Sequence, residues 1–263
     1  MVEYRYGSDF HKRLPGFFSD TDKDQVYIIA GDVGEFSKKG TAVKDILDEM
    51  CSRFKAVIYV AGNHEYYRTS IGRFDKKMRE FTELYDNLHF LQKDSIIIDG
   101  VRIIGATLWS DTREHSWEVE SKMNDYRYIR TGPEGLEWKR SLRASDTTSM
   151  HFSMVDYIEK EILESEEPCI VVTHHAPSTR STPLRYKDDP LNCAYSTDLE
   201  IEKWPIVWIH GHIHDQMKYD HNGCIVLCNP LGYLGEWTDF MHMENKFSIV
   251  NGEYYEANTE TGT

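Results

Sequence analysis

The stretch "VYIIAGDVGE", residues 26–35, places an acidic side chain at the end of a strongly apolar run. The run from Val26 to Ala30 has the composition of a strand that is buried on both faces, and Gly31 marks the turn that ends it. Asp32 follows directly after this turn. Burying a lone carboxylate costs several kcal/mol unless a partner compensates its charge. We therefore expect a partner for Asp32 elsewhere in the chain.

Four further apolar runs end close to an Asp, Asn or His side chain. These runs are "VEYRYG", "AVIYVAG", "CIVVTH" and "PIVWIHG", which begin at residues 2, 56, 169 and 205. If these strands lie parallel and adjacent in one sheet, their C-terminal ends share one edge, where open α/β sheets place their ligand sites. The polar clusters that follow the strands are then expected to converge.

The rest of the pattern alternates strands with helices and adds hairpins. Helical periodicity covers residues 41–54 and 146–164, and the dipeptides at 99–100 and 222–223, "DG" and "NG", are typical of hairpin turns. The later strands are therefore expected to be antiparallel. Together these features predict an α/β fold, a four-layer αββα sandwich of two mixed β-sheets flanked by helices.

No repeat or linker divides the sequence, so we expect a single domain over residues 1–263. Two long segments, about 110–145 and 177–204, are predicted to be irregular insertions, and loops of this length are usually functional or disordered. Residues 251–263 have the composition of a polar C-terminal tail.

Several of the polar blocks are weak signals when each is taken alone. A pair such as Asp9 and His11 is expected about once by chance in a chain of this composition. Asp32 is also compatible with an ordinary turn, in which its side chain bonds nearby backbone amides. The same turn interpretation competes for Asn63 and His64, although an Asn oxygen is also a neutral metal ligand.

The histidines near the C-terminal end give a stronger signal. In "HGHIH", residues 210–214, three histidines alternate, a pattern expected only roughly 0.02 to 0.03 times by chance in such a chain. Alternate side chains at a strand end face one side, so this pattern indicates metal binding. In the pair His174 and His175, we expect His175 to be an ordinary histidine satisfied by the backbone.

The blocks occur in the order Asp-x-His, Gly-Asp, Gly-Asn-His-Glu, His and Gly-His-x-His, each after a strand. This order resembles the calcineurin-like metallophosphoesterase superfamily over residues 9–214. The blocks "GNHEYY", "GATLWSD", "MNDYRYI", "THHAPS" and "NPLGY" also resemble small bacterial and phage-type members. The resemblance implies two divalent metal ions. Their ligands would be Asp9, His11, Asp32 and His214 for the first ion, and Asp32, Asn63, His174 and His212 for the second.

In this arrangement Asp32 bridges both ions, which supplies the partner that its charge needs. Mixed oxygen and nitrogen ligands suit Mn, Fe, Zn or Ni, and we expect Mn to support activity. The resemblance further implies that a hydroxide bridging the ions attacks phosphorus, while His64 assists the leaving oxygen as an acid or hydrogen-bond donor. A turn histidine is the alternative for His64.

The expected function is hydrolysis of small phosphomonoesters or phosphodiesters, nucleotides among them. The alternatives are a nuclease, a protein phosphatase or a non-catalytic metal-binding scaffold. The formal net charge of −14 repels polyanions, so an extended nucleic-acid partner is not expected. Two divalent ions in a cleft would still attract one phosphate group.

Substrate selection is expected to fall to the two long segments. Arginines there are candidates to bind a phosphate, and tyrosines to stack on a base. The candidates are Arg127, Arg130, Arg180, Arg185, Tyr126 and Tyr128. A solvated charged surface explains each arginine equally well.

The cysteines and the N-terminus bear on cellular location. The five cysteines are odd in number and widely spaced, which favours reduced thiols in a cytosol-like compartment. The first residues lack an apolar signal core, and no window approaches the roughly 18 apolar residues of a membrane span. We therefore expect a cytoplasmic protein with no membrane partner.

Overall fold

A computed structural model describes residues 2–13, 22–35, 42–132, 139–236 and 245–256. The strands of this structure are β1 (Glu3–Gly7), β2 (Val26–Ala30), β3 (Ala56–Val60), β4 (Leu88–Phe90), β5 (Asp94–Ile98), β6 (Val101–Ala106), β7 (Arg130–Thr131), β8 (Arg140–Ser141), β9 (Cys169–Thr173), β10 (Val207–His210), β11 (Met217–His221), β12 (Cys224–Cys228), β13 (Lys246–Val250) and β14 (Glu253–Glu256). The α-helices are α1 (Ala42–Arg53), α2 (Ile71–Thr82), α3 (Ser116–Lys122), α4 (Asp125–Tyr128) and α5 (Ala144–Glu164).

The described strands form two six-stranded sheets and one two-stranded sheet. The order is β14-β13-β1-β2-β3-β4 in the first large sheet and β11-β12-β10-β9-β6-β5 in the second. Parallel neighbours make up the centre of both sheets. The β13–β14 hairpin closes one edge of the first sheet, and the β5–β6 and β11–β12 hairpins close both edges of the second.

Two hydrophobic cores hold these layers together. Alternate residues of both sheets, among them Ile28 and Val60 in the first and Ile170 and Val172 in the second, form the core between the sheets. The opposite faces of the sheets pack with the buried faces of α1, α2 and α5 to form the other cluster, the outer core. Helix, sheet, sheet and helix therefore stack as four layers, and the predicted αββα sandwich is confirmed.

The predicted helices and hairpins are present. The helices expected over residues 41–54 and 146–164 agree with α1 and α5 to within two residues at each end. Both residues of the "DG" turn have positive φ, 50° and 79°, and those of the "NG" turn have 55° and 79°. Tight hairpins require this conformation at both central positions, and the two dipeptides supply it at little cost.

Two predicted details of strand arrangement are wrong. The five polar-ended strands do not share one sheet, because β1, β2 and β3 belong to the first sheet and β9 and β10 to the second. Strands that are buried on both faces lack the alternation that would assign them to a sheet. The later strands are not all antiparallel either, since β12 pairs in parallel with β10 as well as antiparallel with β11.

The segments predicted to be irregular contain short ordered elements. Helices α3 and α4 and the β7–β8 pair lie within residues 110–145, where Val119 and Ile129 are buried in the outer core. Short 3-10 helices, Thr179–Ser181, Leu184–Tyr186 and Pro190–Ala194, occupy much of residues 177–204. Part of the predicted polar tail forms β14, and residues 257–263 lie outside the described part.

All five cysteines, which lie within the described residues, are free in the structure. Within the described ranges, we find no helix with the length and apolar character needed to cross a membrane.

Candidate metal centre

The residues predicted from the sequence as metal ligands lie at the C-terminal ends of strands from both sheets. Asp9, Asp32 and Asn63 follow β1, β2 and β3, whereas His174 and His212 follow β9 and β10. His11 and His214 lie two residues beyond Asp9 and His212. The first sheet thus contributes mainly oxygen ligands and the second contributes imidazoles, and the two sets meet at one end of the sandwich.

The first cluster consists of Asp9, His11 and His214, whose candidate ligand atoms lie within 4.8 Å of one another. Nε2 of His214 is 3.2 Å from Nε2 of His11 and 3.3 Å from Oδ1 of Asp9. The other carboxylate oxygen of Asp9 accepts hydrogen bonds from the Ser8 hydroxyl at 2.5 Å and the His212 backbone N–H at 3.1 Å. The carboxylate is therefore held with Oδ1 toward the two imidazoles.

The second cluster consists of Asp32, His174 and His212, again with candidate ligand atoms within 4.8 Å. Nε2 of His174 lies 3.4 Å from Oδ1 of Asp32 and 3.1 Å from Oδ1 of Asn63. Nδ1 of His174 faces the carbonyl oxygen of Ala30 at 2.8 Å. Such a bond at the far ring nitrogen is typical of metal-binding histidines, because it fixes both the tautomer and the ring orientation.

The backbone at the site is tight and strained. The candidate ligands Asp9, His11, Asp32 and His212 have φ values between 46° and 65°. This left-handed conformation costs a non-glycine residue about 1 kcal/mol or more, and such residues concentrate at functional sites. A side chain at Gly62 would collide with the Asp32 carboxylate, which explains the glycine before Asn63.

Charge is balanced at the site by protonated histidines. Burial disfavours the charged form of His174, but the Asp32 carboxylate outweighs burial and raises the pKa of His174 to about 10. Burial likewise works against protonation of His214, whereas Asp9 and Glu236 raise its pKa to about 9. Burial lowers the pKa of His11 to about 4. Metal ions would take over the compensating charge, so their binding is expected to release protons.

The side chains fit a pair of divalent cations. The Asp9 and Asp32 side chains are buried, with at most 2% exposed, and two such carboxylates need a cationic partner. Nε2 of His212 is also buried, and no group of the described residues hydrogen-bonds it. Mixed carboxylate, amide and imidazole donors suit first-row transition metals. Asp32 also forms a third candidate group with His11 and His64, so its carboxylate lies close to one ligand of the first cluster.

His64 has a ligand atom within 4.8 Å of those of His11 and Asp32, and its side chain is 19% exposed. Its Nε2 atom is 3.8 Å from Oδ2 of Asp32 and 3.0 Å from the hydroxyl of Tyr233. The ring stacks on Tyr67, with centroids 4.3 Å apart and planes at 25°. The backbone N–H of His64 donates to Oδ1 of Asp32 at 2.9 Å. The imidazole is thus fixed beside the Asp32 carboxylate, with Nε2 toward the Tyr233 hydroxyl.

Glu65 is a site residue to which the sequence assigns no role. Its buried carboxylate accepts the backbone N–H groups of Asp32, Gly34 and Gly62 at 3.0, 3.0 and 2.7 Å. Burial and the nearby Asp32 charge raise the pKa of Glu65 to about 8, whereas the bonds from Gly34 and Gly62 act in the opposite direction. The side chain therefore joins the loops that carry Asp32 and Asn63. The sequence feature that could have identified Glu65 as a site residue is its position directly after His64 in "GNHE".

We expect Glu65→Ala to destabilise the fold. Three buried N–H donors would lose their acceptor, and each unsatisfied donor costs about 1–3 kcal/mol, less where water enters. Urea unfolding should therefore show a loss of at least about 2 kcal/mol. Glu49→Ala, which removes only an exposed i,i+4 pair with Arg53, is the control. Equal stabilities of the two variants would contradict the proposed joining role.

Tyr233 and Glu236 are two further residues of the site that were not predicted from the sequence. The Tyr233 ring stacks on His11, with centroids 4.1 Å apart. The Glu236 carboxylate accepts from Nδ1 of His214 and from the backbone N–H of Tyr233, both at 2.6 Å. The segment after β12 therefore packs against the first cluster and orients one of its imidazoles.

The main predicted substrate residues have partners within the protein itself. The Tyr126 side chain is buried, and its hydroxyl lies 3.1 Å from that of Thr147. The Arg127 guanidinium donates to the carbonyl oxygen of Ser121 at 2.6 Å. Arg180 donates to the carbonyl oxygen of Asp220 at 2.6 Å and lies over the ring of Tyr219. Each of these three side chains therefore contacts a residue outside the two ligand clusters.

The remaining candidates are exposed, as Arg127 and Arg180 are. Arg185 forms an ion pair with Asp215, the residue after His214, and Arg130 contacts Ser141. Tyr128 is 43% exposed and packs edge-on against Tyr67.

Two other histidines of the predicted blocks lie outside the ligand clusters. Nε2 of His210 lies 2.9 Å from the Ser181 hydroxyl, and its Nδ1 lies 2.9 Å from the carbonyl oxygen of Gly211. Nδ1 of His175 faces the carbonyl oxygen of Thr107 at 3.3 Å, whereas its buried Nε2 has no hydrogen-bond partner among the described residues, so the backbone satisfies this histidine only in part.

Comparison with known proteins agrees with this geometry. A family model described as calcineurin-like phosphoesterase matches residues 8–216. Uncharacterized protein L509 of Acanthamoeba polyphaga mimivirus is 30% identical over 236 residues, covering 83% of each chain. The crystal structure of phosphopantetheinyl hydrolase (PptH) from Mycobacterium tuberculosis aligns with a TM-score of 0.70 at 14% identity, covering 99% of this chain and 97% of that one.

The matched region extends from the residue before Asp9 to just beyond His214 and so contains every candidate ligand. The structural alignment, at its low identity, supports the same fold. The chain therefore belongs to the calcineurin-like phosphoesterase family of metal-dependent phosphoester hydrolases.

Proposed function

We propose that this protein hydrolyses phosphomonoesters or phosphodiesters of small molecules, nucleotides among them, with two divalent ions at the clustered residues. The observation that carries the proposal is the meeting of two ligand groups around Asp32 at the end of the sandwich. Asp9, His11 and His214 would hold the first ion, and Asn63, His174 and His212 the second, with Asp32 shared. Ions bound there would supply Lewis acidity, activating water and neutralising charge on the phosphoryl oxygens.

The chain's own residues prepare the site for this chemistry. Asp32 is fixed by its backbone bond to Glu65 and by the His64 N–H that its carboxylate accepts. Ala30 and Glu236 hold the far nitrogens of His174 and His214, so both rings keep one nitrogen toward the site. Groups fixed in advance of the reaction avoid the free-energy cost of reorganisation during it.

In this proposal His64 protonates or hydrogen-bonds the leaving oxygen. Its Nε2 atom lies between the Asp32 carboxylate and the Tyr233 hydroxyl, at the edge of the clusters. A substrate oxygen that replaced the Tyr233 hydroxyl would meet the imidazole at hydrogen-bond distance. Stacking on Tyr67 keeps the ring in that orientation.

Two cationic side chains that were not predicted from the sequence favour the binding of an anionic substrate. Lys12 follows His11 and Arg68 follows Tyr67, and the charged groups of both lie within 4 Å of Glu35. Their side chains are 44% and 68% exposed. Because they follow His11 and Tyr67 directly in the chain, both are candidates to meet a phosphate that approaches from the His11 and His64 side. The acidic surface as a whole still disfavours a long polyanion.

We expect the purified protein to hydrolyse a nitrophenyl phosphoester when Mn²⁺ is added. A chelator should abolish the activity, and excess Mn²⁺ should restore it, because the candidate ligands form no reactive group without metal. Rates on aryl monoesters and diesters, compared side by side, would assign the ester class. Absence of turnover with Mn, Fe, Zn and Ni would favour the non-catalytic scaffold.

The same preparation separates the remaining alternatives. Single- and double-stranded oligonucleotides test the nuclease, and phosphopeptides test the protein phosphatase. A phosphopantetheine diester belongs in the panel because the structural neighbour is named a phosphopantetheinyl hydrolase. Turnover of the small esters well above that of the polymers and peptides is the result expected from the proposed function.

A further inference from the structure

A buried carboxylate from the segment after β6 contacts the candidate ligand Asn63. Oδ1 of Asp125, at the start of α4, accepts the Asn63 side-chain N–H at 2.8 Å. The same oxygen accepts the Tyr67 hydroxyl at 2.7 Å. Asp125 is only 3% exposed, and among the described residues no lysine or arginine pairs with it. Its charge is therefore met by these hydrogen bonds rather than by a nearby cationic side chain.

The contact decides which end of the Asn63 amide faces the site. An ionised carboxylate only accepts hydrogen bonds, so it selects the nitrogen end of the amide. The oxygen end then points the other way, 3.1 Å from Nε2 of His174. The reversed amide would set its oxygen against the Asp125 carboxylate and leave an NH₂ group, which has no lone pair for a metal, toward the site.

Tyr67 extends the influence of Asp125 to His64. The hydroxyl of Tyr67 is held by Asp125, and the face of its ring stacks on the His64 imidazole. One carboxylate thus fixes the candidate ligand after β3 directly and the next residue, His64, through an aromatic ring. The residues concerned come from the blocks "GNHEYY" and "MNDYRYI", which lie 62 positions apart measured from Asn63 to Asp125.

We propose that Asp125 is a positioning residue that holds the Asn63 oxygen toward the second metal ion, an inference that rests on the proposed metal-dependent function. An asparagine side chain at position 125 can present either oxygen or nitrogen to Asn63, so the preference for one amide orientation is lost. Partners of metal ligands typically contribute 10- to 100-fold to metal affinity. Asp125→Asn should therefore weaken one of two Mn²⁺ sites by about 10- to 100-fold and leave the other unchanged.

The experiment is a calorimetric Mn²⁺ titration of the metal-free full chain, supported by electron paramagnetic resonance of the bound Mn²⁺. Asp75→Asn is the matched control, because Asp75 on α2 also accepts a tyrosine hydroxyl, that of Tyr66, at 3.0 Å. The control should bind both ions as the wild type does. The measurement needs no substrate, so its result is independent of whether the protein hydrolyses phosphoesters.

The exchanged variant Asn63→Asp/Asp125→Asn gives a second test. It restores a carboxylate–amide pair with the roles reversed, since the new amide at position 125 donates and the new carboxylate at position 63 offers an oxygen to the ion. We expect it to recover most of the lost affinity, whereas Asn63→Asp alone sets two carboxylates together and should not. Wild-type affinity in Asp125→Asn would overturn the proposal. If that variant does not fold, an exchanged variant without two-ion binding overturns it instead.

Discussion

Asp32→Asn should lower Mn²⁺-dependent phosphoester turnover by roughly 10³-fold or more. The carboxylate belongs to the second cluster and also lies within 4.8 Å of a ligand atom of His11 from the first, so its loss is expected to weaken both proposed ion sites at once. Metal ions contribute several kcal/mol of charge stabilisation to such reactions, and each 1.4 kcal/mol or so corresponds to about tenfold in rate. Steady-state rates on a nitrophenyl ester at saturating Mn²⁺ measure the effect.

The control for this substitution is Asp99→Asn. Asp99 also has a positive φ, 50° against 55° for Asp32, but it lies in the β5–β6 hairpin turn and pairs with Lys55. The control therefore reports any general effect of the same change in a left-handed turn, and its turnover should match the wild type. If Asp32→Asn kept more than about a tenth of wild-type turnover, a shared bridging role would be excluded.

Thermal unfolding gives a second readout of Asp32 that does not depend on turnover. A ligand that binds only the folded state at 100 times its dissociation constant stabilises the protein by about 2.7 kcal/mol. Mn²⁺ should raise the melting temperature of the wild type accordingly. In Asp32→Asn this increase should shrink or disappear, while the metal-free protein still unfolds cooperatively.

The candidate ligands were predictable because each one sits in a short sequence block and the order of the blocks resembles that of a known family. Asp32 and Asn63 follow apolar strands after a glycine, and the alternating histidines that include His212 and His214 are improbable by chance. The physical cause is that a strand end, a tight turn and a polar side chain must be consecutive to place a ligand at the sheet edge. A few neighbouring residues are therefore enough to indicate a candidate ligand.

The residues that support these ligands were not predictable in the same way. Asp125 meets Asn63 across 62 positions, and Glu236 meets His214 across 22, so neither pair forms a local pattern. Tyr126 is the opposite case, a residue that was a candidate for substrate contact in the sequence and is buried in the structure. Its neighbours suggested a residue available to stack on a base, but the short helix α4 turns its ring into the outer core. Whether such a side chain supports a ligand or is buried in the core depends on packing between segments that are distant in the sequence.

The division of the polar-ended strands between two sheets has the same origin. Every residue of β2, β3 and β9 is buried, so their sequences carry no alternation between a core face and a solvent face. The sequence therefore predicts that the ends converge without predicting how. Two sheets that meet at one end place imidazoles from β9 and β10 opposite carboxylates from β1 and β2, an arrangement that suits cations between them.

His64→Ala should reduce turnover by about 10²- to 10⁴-fold for esters with poor leaving groups, the range typical of a lost general acid. An alkyl leaving oxygen needs a proton or a strong hydrogen bond as the P–O bond breaks, whereas a nitrophenolate leaves well without one. The loss should therefore be clearly smaller for a nitrophenyl ester than for an alkyl ester. Rates for the two esters, measured on wild type and variant, give this ratio.

Metal binding separates this role from a structural one. His64 lies within reach of Asp32, but its Nε2 atom faces the Tyr233 hydroxyl, and the seven proposed ligands do not include it. His64→Ala should therefore bind two Mn²⁺ ions as the wild type does, and His221→Ala, on β11 against Trp204, should change neither rate nor binding. An equal loss on both esters, or a lost ion, would mean that His64 maintains the site rather than assisting the leaving oxygen.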